Sequence, residues 1–385
     1  MHNGAVTLLA TGDLILDEPE PDTFFEPSRD VLCAADLVIG HVEVPFSTRV
    51  RHAPLVPPEA RDPAKLAALK RANVVAASLA ANHVNDAGSG GIQDTLDGLR
   101  AQGIQPFGAG MDLDEARQPA IVSRGGVRFG LLSYNCVGPR ESWAGAARAG
   151  GAYVHILTHY ELDHAEPGGR PVTYTGADAD SLLAMADDIA GLRSRCDILS
   201  VSFHKGTVHT PARVLGYEKQ VARAAIDAGA DLVLSHHAHI LRGIEIYKGK
   251  PIYHGLGNFV TVTQALSTRG VTDPNAWALR RKLLFGFEPD PATPEYPFHP
   301  ESRLTMLARL TVHDDGHIAA GFLPCVINQR SQPEVVGRDD RGRQVLEYVQ
   351  RISHEAGLNA SLSWRGDEVA VSADDSAGIG LGAAD

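Results

Sequence analysis

Through the first two-thirds of the chain, short apolar runs alternate with longer stretches whose apolar positions recur at helical spacing. The runs at 5–10, 37–42, 74–79, 128–134, 197–203 and 232–235 predict strands. Between them, 28–35, 64–72, 92–102, 178–194 and 215–228 predict helices. Arg124-Gly125-Gly126-Val127 reads as the hairpin turn into the 128–134 strand. Strands at 241–247 and 251–256 flank the turn Lys248-Gly249-Lys250, and a closing hairpin of 305–312 and 318–327 turns at Asp314-Asp315-Gly316. Three segments break the rhythm: a proline-rich loop (Pro54, Pro57, Pro58, Pro63), a Gly-rich excursion over 135–175, and a stretch over 264–302. The last carries Trp277, Phe285, Phe287, Tyr296 and Phe298, and a loop of that length in a compact domain is more often functional or partner-facing than accidental.

This pattern predicts an α/β fold with a mostly parallel sheet and helices outside. The expected organisation is one domain over 1–330, with insertions near 135–175 and 262–302. A C-terminal helix (341–354) and an Ala/Gly/Asp tail, expected to be flexible, fill 331–385.

In such sheets ligands bind beyond the C-terminal strand ends, and that is where the chemistry-bearing residues fall. Asp13 follows the first predicted strand and Glu43 closes the second. Asn82 and His83 follow the third, His204 follows 197–203, and His236, His237 and His239 follow 232–235. Singly, most have an ordinary reading. Gly12-Asp13 is a turn sequence, Asn82 a helix-cap residue, and a lone His204 a core or loop histidine. Glu43 is harder to explain away, because a carboxylate between Val42 and Val44 is costly to bury without a cation. Two imidazoles at i and i+2 after a buried strand are rarely structural. Carboxylate oxygen, amide oxygen and imidazole nitrogen together suit a divalent metal.

Composition narrows the classes. With 44% hydrophobic and 21% charged residues among 385, the chain reads as soluble and globular. Its 35 Lys plus Arg against 47 Asp plus Glu give a net charge of −12, which disfavours nucleic acid as a partner. The first residues lack a secretory signal pattern and no apolar run approaches the roughly 18 residues of a membrane span. The expected location is the cytosol, with no membrane partner. Cys33, Cys136, Cys196 and Cys325 are widely spaced and read as small apolar residues, neither disulfides nor a thiolate zinc site.

Gly12-Asp13, Asp36-Leu37-Val38-Ile39-Gly40-His41-Val42-Glu43-Val44-Pro45 and Ala81-Asn82-His83-Val84-Asn85-Asp86-Ala87-Gly88 resemble motifs of one family. So do Gly229-Ala230-Asp231-Leu232-Val233-Leu234-Ser235-His236-His237-Ala238-His239 and Gly255-Leu256-Gly257-Asn258-Phe259. The family is the CapA-type (poly-γ-glutamate capsule synthesis) branch of the calcineurin-like metallophosphoesterases, and the resemblance spans about 7–260. It implies a four-layer α/β/β/α sandwich with a metal centre at one sheet edge. Carried over, Asp13 holds one metal, Glu43 bridges two, Asn82, His204 and His237 complete the second site, and His239 returns to the first. His83, oriented by Asp86, lies near the leaving group. This sequence departs from the broad family in having Ile15 two places after the first Asp. It departs from the branch at His41 (for Asn), Lys205 (for an aromatic), Val208 (for Glu) and His254 (for Ser).

The function implied is a metal-dependent hydrolase using a metal-activated water on a small anionic substrate, a phosphoester before others. One or two divalent ions (Mn, Fe, Zn or Mg) are the expected cofactor. His83 and Asp86 are the expected catalytic pair, and His41, Lys205, Arg213 and His254 the expected contacts to the anion. Two alternatives stand beside it: action on an amide or γ-glutamyl bond, and a non-catalytic binding or assembly protein of polyglutamate metabolism.

Overall fold

The computed structural model describes residues 4–49, 61–161, 171–262, 273–290, 293 and 296–373. Two large sheets dominate. The first runs in the order Ala360–Arg365, Glu368–Ala373, Ile318–Ile327, Leu304–Val312, Val6–Leu16, Leu37–Val42, Val74–Ser78, Gln105–Phe107. The second runs Ile244–Tyr247, Lys250–Tyr253, Leu232–His236, Ile198–His204, Val127–Asn135, Ala120–Arg124. In the first, pairing is parallel from Val6–Leu16 through Gln105–Phe107 and antiparallel on the C-terminal side. In the second, the inner pairs are parallel and both edge hairpins antiparallel. Mixed pairing thus replaces the mostly parallel sheet expected, because antiparallel strands extend one edge of the first sheet and both edges of the second.

Strand alternation sorts the side chains. Leu8, Ala10, Ile39 and Ala76 of the first sheet share one buried cluster with Phe129, Leu131, Ile198, Leu232 and Leu234 of the second. Leu9, Val38, Val74 and Ala77 point the other way, into a cluster with Ile92, Leu96 and Leu99 of the helix Gly88–Ala101. Those three helix positions are spaced i, i+4, i+7, one apolar stripe. On the second sheet, Leu199, Val201, Phe203 and Val233 pack with Met185, Ile189 and Leu192 of Ala179–Arg193 and with Val221 and Ala225 of Gly216–Asp227.

The C-terminal region differs from expectation. The helix Asp340–Glu355 buries Val345, Val349 and Ile352 in the cluster shared by both sheets, and the hairpin of Ala360–Arg365 and Glu368–Ala373 adds Leu362, Val369 and Val371. The region is structural up to Ala373, and only 374–385 of the expected flexible tail lies outside the described residues. Most of the proline-rich loop (50–60) and parts of the two expected insertions (162–170, 263–272) also lie outside them. Within those insertions stand a hairpin, Ile156–Glu161 with Val172–Ala177, and the helix Pro274–Phe285, whose N-terminus is capped by Asp273. Among the described residues no helix is long and apolar enough to cross a membrane. All four cysteines are free thiols.

Candidate metal centre

Register brings the chemistry together. In the second sheet His204 is the last residue of its strand and sits opposite both Asn135 and His236. In the first, Asp13 is opposite both His41 and Asn258. Asp13 does not follow its strand, as expected, but lies inside it. An extra residue between Ala10 and Asp13 relative to the neighbouring strand makes a bulge, and bulges re-aim side chains. Gly12 is required there, since a Cβ would stand 2.3 Å from the Gly257 carbonyl oxygen. That close approach lets the Asp13 amide donate to the same carbonyl at 2.9 Å.

Asp13, Glu43, Asn82, His204, His237 and His239 all converge. Asn82 Oδ1 is 2.8 Å and His237 Nδ1 3.0 Å from His204 Nε2, and Glu43 Oε1 is 4.0 Å from that nitrogen. On the other side, His239 Nε2 is 3.4 Å from Glu43 Oε1 and its Nδ1 is 3.3 Å from Asp13 Oδ2. Three donor sets result, Glu43–His204–His237, Asp13–Glu43–His239 and Asp13–His41–His236, each with ligand atoms within 4.8 Å of one another; Glu43 is common to the first two and Asp13 to the last two. His237 and His239 take φ of +85° and +52°, left-handed values uncommon for histidine, and such strain gathers at functional sites.

Glu43 is 1% exposed, and neither carboxylate oxygen has a hydrogen-bond partner among the described residues. A buried carboxylate left in that state is costly, and a divalent cation between it and the surrounding imidazoles resolves the cost. The protonation states agree. Burial and neighbouring histidines hold His204 well below the ordinary value and bring His237 down to about 3, so both rings are neutral and able to ligate. Burial raises the Asp13 pKa, but hydrogen bonds and charge from His236 and His239 outweigh it, so the carboxyl titrates well below its usual range. Burial also lowers His239, yet Glu43 and Asp13 lift it well above the histidine value. Its two ring nitrogens face one carboxylate each, Nδ1 towards Asp13 and Nε2 towards Glu43.

His83 follows Asn82, its side chain 33% exposed, with Nδ1 2.7 Å from Asp86 Oδ2. Burial lowers its pKa, but the Asp86 hydrogen bond and the Glu43 charge raise it more.

Three of the four expected anion contacts are buried against polar partners, and the fourth is exposed. His41 is fully buried between Ser78 and His204. Lys205 is equally buried, its ammonium 3.4 Å from Glu218 Oε2 and 3.1 Å from His254 Nδ1. His254 is buried too, with Nε2 3.0 Å from Glu245 Oε2. Arg213 is exposed on the loop before Gly216–Asp227. Three polar residues around the centre were given no role by the sequence. His236 Nδ1 is 3.0 Å from Asp13 Oδ1. Asn258 places Oδ1 2.9 Å from His239 Nδ1 and donates from Nδ2 to the Tyr296 hydroxyl at 2.8 Å. His209 packs between His239 and the rings of Phe285, Phe287 and Phe298. Asn258 stood in a quoted motif and His236 in the histidine triplet, so position after a strand was a signal for both.

Fold and centre together define an α/β protein with a buried carboxylate–amide–imidazole cluster where strand ends of two sheets meet. The chain belongs to the bacterial capsule synthesis protein PGA_cap family, whose model matches residues 4–263. It is similar to a probable polyglutamine synthesis accessory protein of Mycobacterium tuberculosis (strain CDC 1551 / Oshkosh), 35% identical over 219 residues, 56% of this chain and 51% of that protein. The PGA biosynthesis protein CapA of Bacillus subtilis (strain 168) is 28% identical over 249 residues, 64% of this chain and 58% of that protein. The capsule biosynthesis protein CapA of Bacillus anthracis is 25% identical over 194 residues, 50% of this chain and 41% of that protein. The chain spans about half the length of the curated relatives it matches.

Proposed function

We propose that the protein is a metal-dependent hydrolase of small anionic substrates, phosphoesters first, built as a helix–sheet–sheet–helix sandwich. The observation that carries the reading is the Glu43 carboxylate, buried with no hydrogen-bond partner among the described residues, between the neutral His204 ring at 4.0 Å and His239 at 3.4 Å, whose pKa the carboxylates raise. Asp13, Glu43 and His239 would hold one divalent ion, and Glu43, Asn82, His204 and His237 a second. A bound ion supplies Lewis-acid polarisation and acidifies water. The rest belongs to the chain. Asp86 accepts from His83 Nδ1 and fixes the ring, which leaves Nε2 to deliver a proton to a leaving group. Against burial, the Asp86 hydrogen bond and the Glu43 charge raise the His83 pKa, which favours the protonated ring. The proposal includes a cytosolic setting and excludes nucleic acid and membrane as partners.

The names of the relatives favour a second reading, an accessory protein of polyglutamate synthesis that binds without catalysis. Metal analysis of purified protein and a screen of phosphoesters and γ-glutamyl amides separate the two. Under the hydrolase reading, His83→Asn keeps the metal while turnover falls by roughly 10²–10⁴, and His237→Ala loses both. Bound metal with no turnover on either substrate class would favour the accessory reading.

A further inference from the structure

Behind the centre, a line of buried polar groups leads away from His204. His204 Nδ1 faces His41 Nε2 at 3.0 Å, His41 Nδ1 faces Ser78 Oγ at 3.1 Å, and Ser78 Oγ faces Ser133 Oγ at 2.7 Å. All four residues are 3% exposed or less, and the His41 ring stacks on His236 with centroids 4.1 Å apart and planes at 16°. His41 therefore has both nitrogens engaged and no route to a substrate.

The line has a direction, and the direction depends on the cation. A neutral imidazole carries one N–H and one lone pair. Without a metal, His204 Nε2 faces Asn82 Oδ1 at 2.8 Å and His237 Nδ1 at 3.0 Å, and it donates to the amide oxygen when His237 presents a lone pair at Nδ1. Its Nδ1 is then a lone pair, so His41 must donate from Nε2 and accept from the Ser78 hydroxyl at Nδ1. With a metal, His204 gives its Nε2 lone pair to the ion. Its proton must sit on Nδ1, and every donor along the line reverses. His204 Nδ1–H then donates to His41 Nε2, His41 Nδ1–H to Ser78, and the Ser78 hydroxyl to Ser133. Each imidazole carries one proton in both states, so the change releases a proton from each Nε2 to solvent and returns one from solvent to each Nδ1, while the hydroxyls rotate.

We infer that His41 is a positioning residue of the metal centre, a reversible acceptor that sets the ligating tautomer of His204 and changes its own tautomer when metal binds. The inference rests on the proposed metal centre but not on catalysis. Ligating histidines depend on an acceptor at the second nitrogen, and loss of such acceptors typically costs 10- to 100-fold in metal affinity. A histidine does this with a ring whose donor and acceptor ends exchange, backed by two hydroxyls that can face either way. The ring stack with His236 holds the plane in register with both neighbours.

The test uses Zn²⁺, which is diamagnetic, and the full chain labelled with ¹⁵N at histidine. Long-range ¹H–¹⁵N spectra of the metal-free protein should show His41 and His204 protonated at Nε2. After Zn²⁺ is added both should be protonated at Nδ1. A His41 tautomer that does not change on loading overturns the inference. A second arm measures Zn²⁺ affinity by calorimetry. His41→Phe keeps a ring against His236 but has no acceptor, and should weaken binding 10- to 100-fold. His41→Gln, whose amide offers either end, should recover much of the loss. Wild-type affinity in His41→Phe would also overturn the inference while leaving the metal centre intact. No Zn²⁺ binding by the wild type would overturn both it and the metal centre.

Discussion

Glu43 shows how much one side chain asks of its surroundings. Its carboxylate is buried with no hydrogen-bond partner among the described residues, with His239 Nε2 3.4 Å and His204 Nε2 4.0 Å from Oε1. The protonated His239 relieves part of that cost when metal is absent. A bound divalent ion relieves more, so metal should stabilise the fold. At a free Zn²⁺ concentration 100 times the dissociation constant the expected gain is about 2.7 kcal/mol. Glu43→Gln should abolish most of the accompanying rise in melting temperature while leaving the metal-free protein no less stable. Equal Zn²⁺-induced rises in wild type and variant, read by calorimetry, would remove Glu43 from the centre. The residues that converge on the candidate centre were legible in the sequence because strand ends deliver residues to one edge whatever the loops between them do. The roles of His41 and His236 were not, because each is defined by a ring contact across more than 160 residues of chain. Lys205 misled for a related reason. Lysine is rarely fully buried without a partner, and its partners, Glu218 and His254, lie 13 and 49 residues away.

Those partners belong to the element scale, where the strand Ile198–His204 meets the helix Gly216–Asp227. Glu218, at the third position of the helix, accepts from the Leu215 backbone amide at 2.9 Å and so closes its first turn. The same carboxylate pairs with Lys205 and with Arg242 Nη2 at 3.2 Å, and all three side chains are fully buried. One anion thus compensates two interior cations and anchors the helix that packs on the second sheet. Glu218→Gln preserves the shape and the cap but leaves both cations uncompensated. Removing one member of a buried pair typically costs about 3–5 kcal/mol, and urea unfolding of the variant should show a loss on that scale. Burial raises the Glu218 pKa, but Lys205 and Arg242 lower it further, so the folded value lies below the ordinary glutamate value. A depressed folded pKa means that the pair stabilises the fold above the ordinary glutamate range. That contribution is lost as pH falls through the folded value. The acid limb of the stability curve should therefore flatten in Glu218→Gln, and an unchanged limb would show that the pair carries no such linkage.

At the scale of the whole molecule, the centre exists only because two sheets are held at a fixed spacing. Asp13, Glu43 and Asn82 come from the first sheet or the loops at its strand ends, and His204, His237 and His239 from the second. The cluster that joins the sheets is completed from the far end of the chain. Val345, Val349 and Ile352 of the Asp340–Glu355 helix and Leu362, Val369 and Val371 of the last hairpin bury against Phe322 and the inner faces. Tyr253 of the second sheet donates its hydroxyl to the Gly321 carbonyl of the first at 2.6 Å, and Arg309 reaches Glu368 across the intervening strand Ile318–Ile327. The sequence left this region as a helix and a tail because its two last strands are short, and Ser, Arg, Gly and Asp interrupt them. Their apolar positions show a purpose only when Ile318–Ile327 is set beside them. If residues 340–373 are part of the spacer between the sheets, they should behave as one unit with it. Phe322→Ala should cost about 3–5 kcal/mol, the usual cost of emptying a buried phenylalanine site. Its Zn²⁺ affinity, measured on protein still folded, should match wild type, since Phe322 touches no ligand. Native-state proteolysis should find no cut between 340 and 373 before global unfolding, in wild type or variant. Early cleavage there, with the remainder still folded and binding Zn²⁺, would show that the spacing of the sheets does not depend on the C-terminal elements.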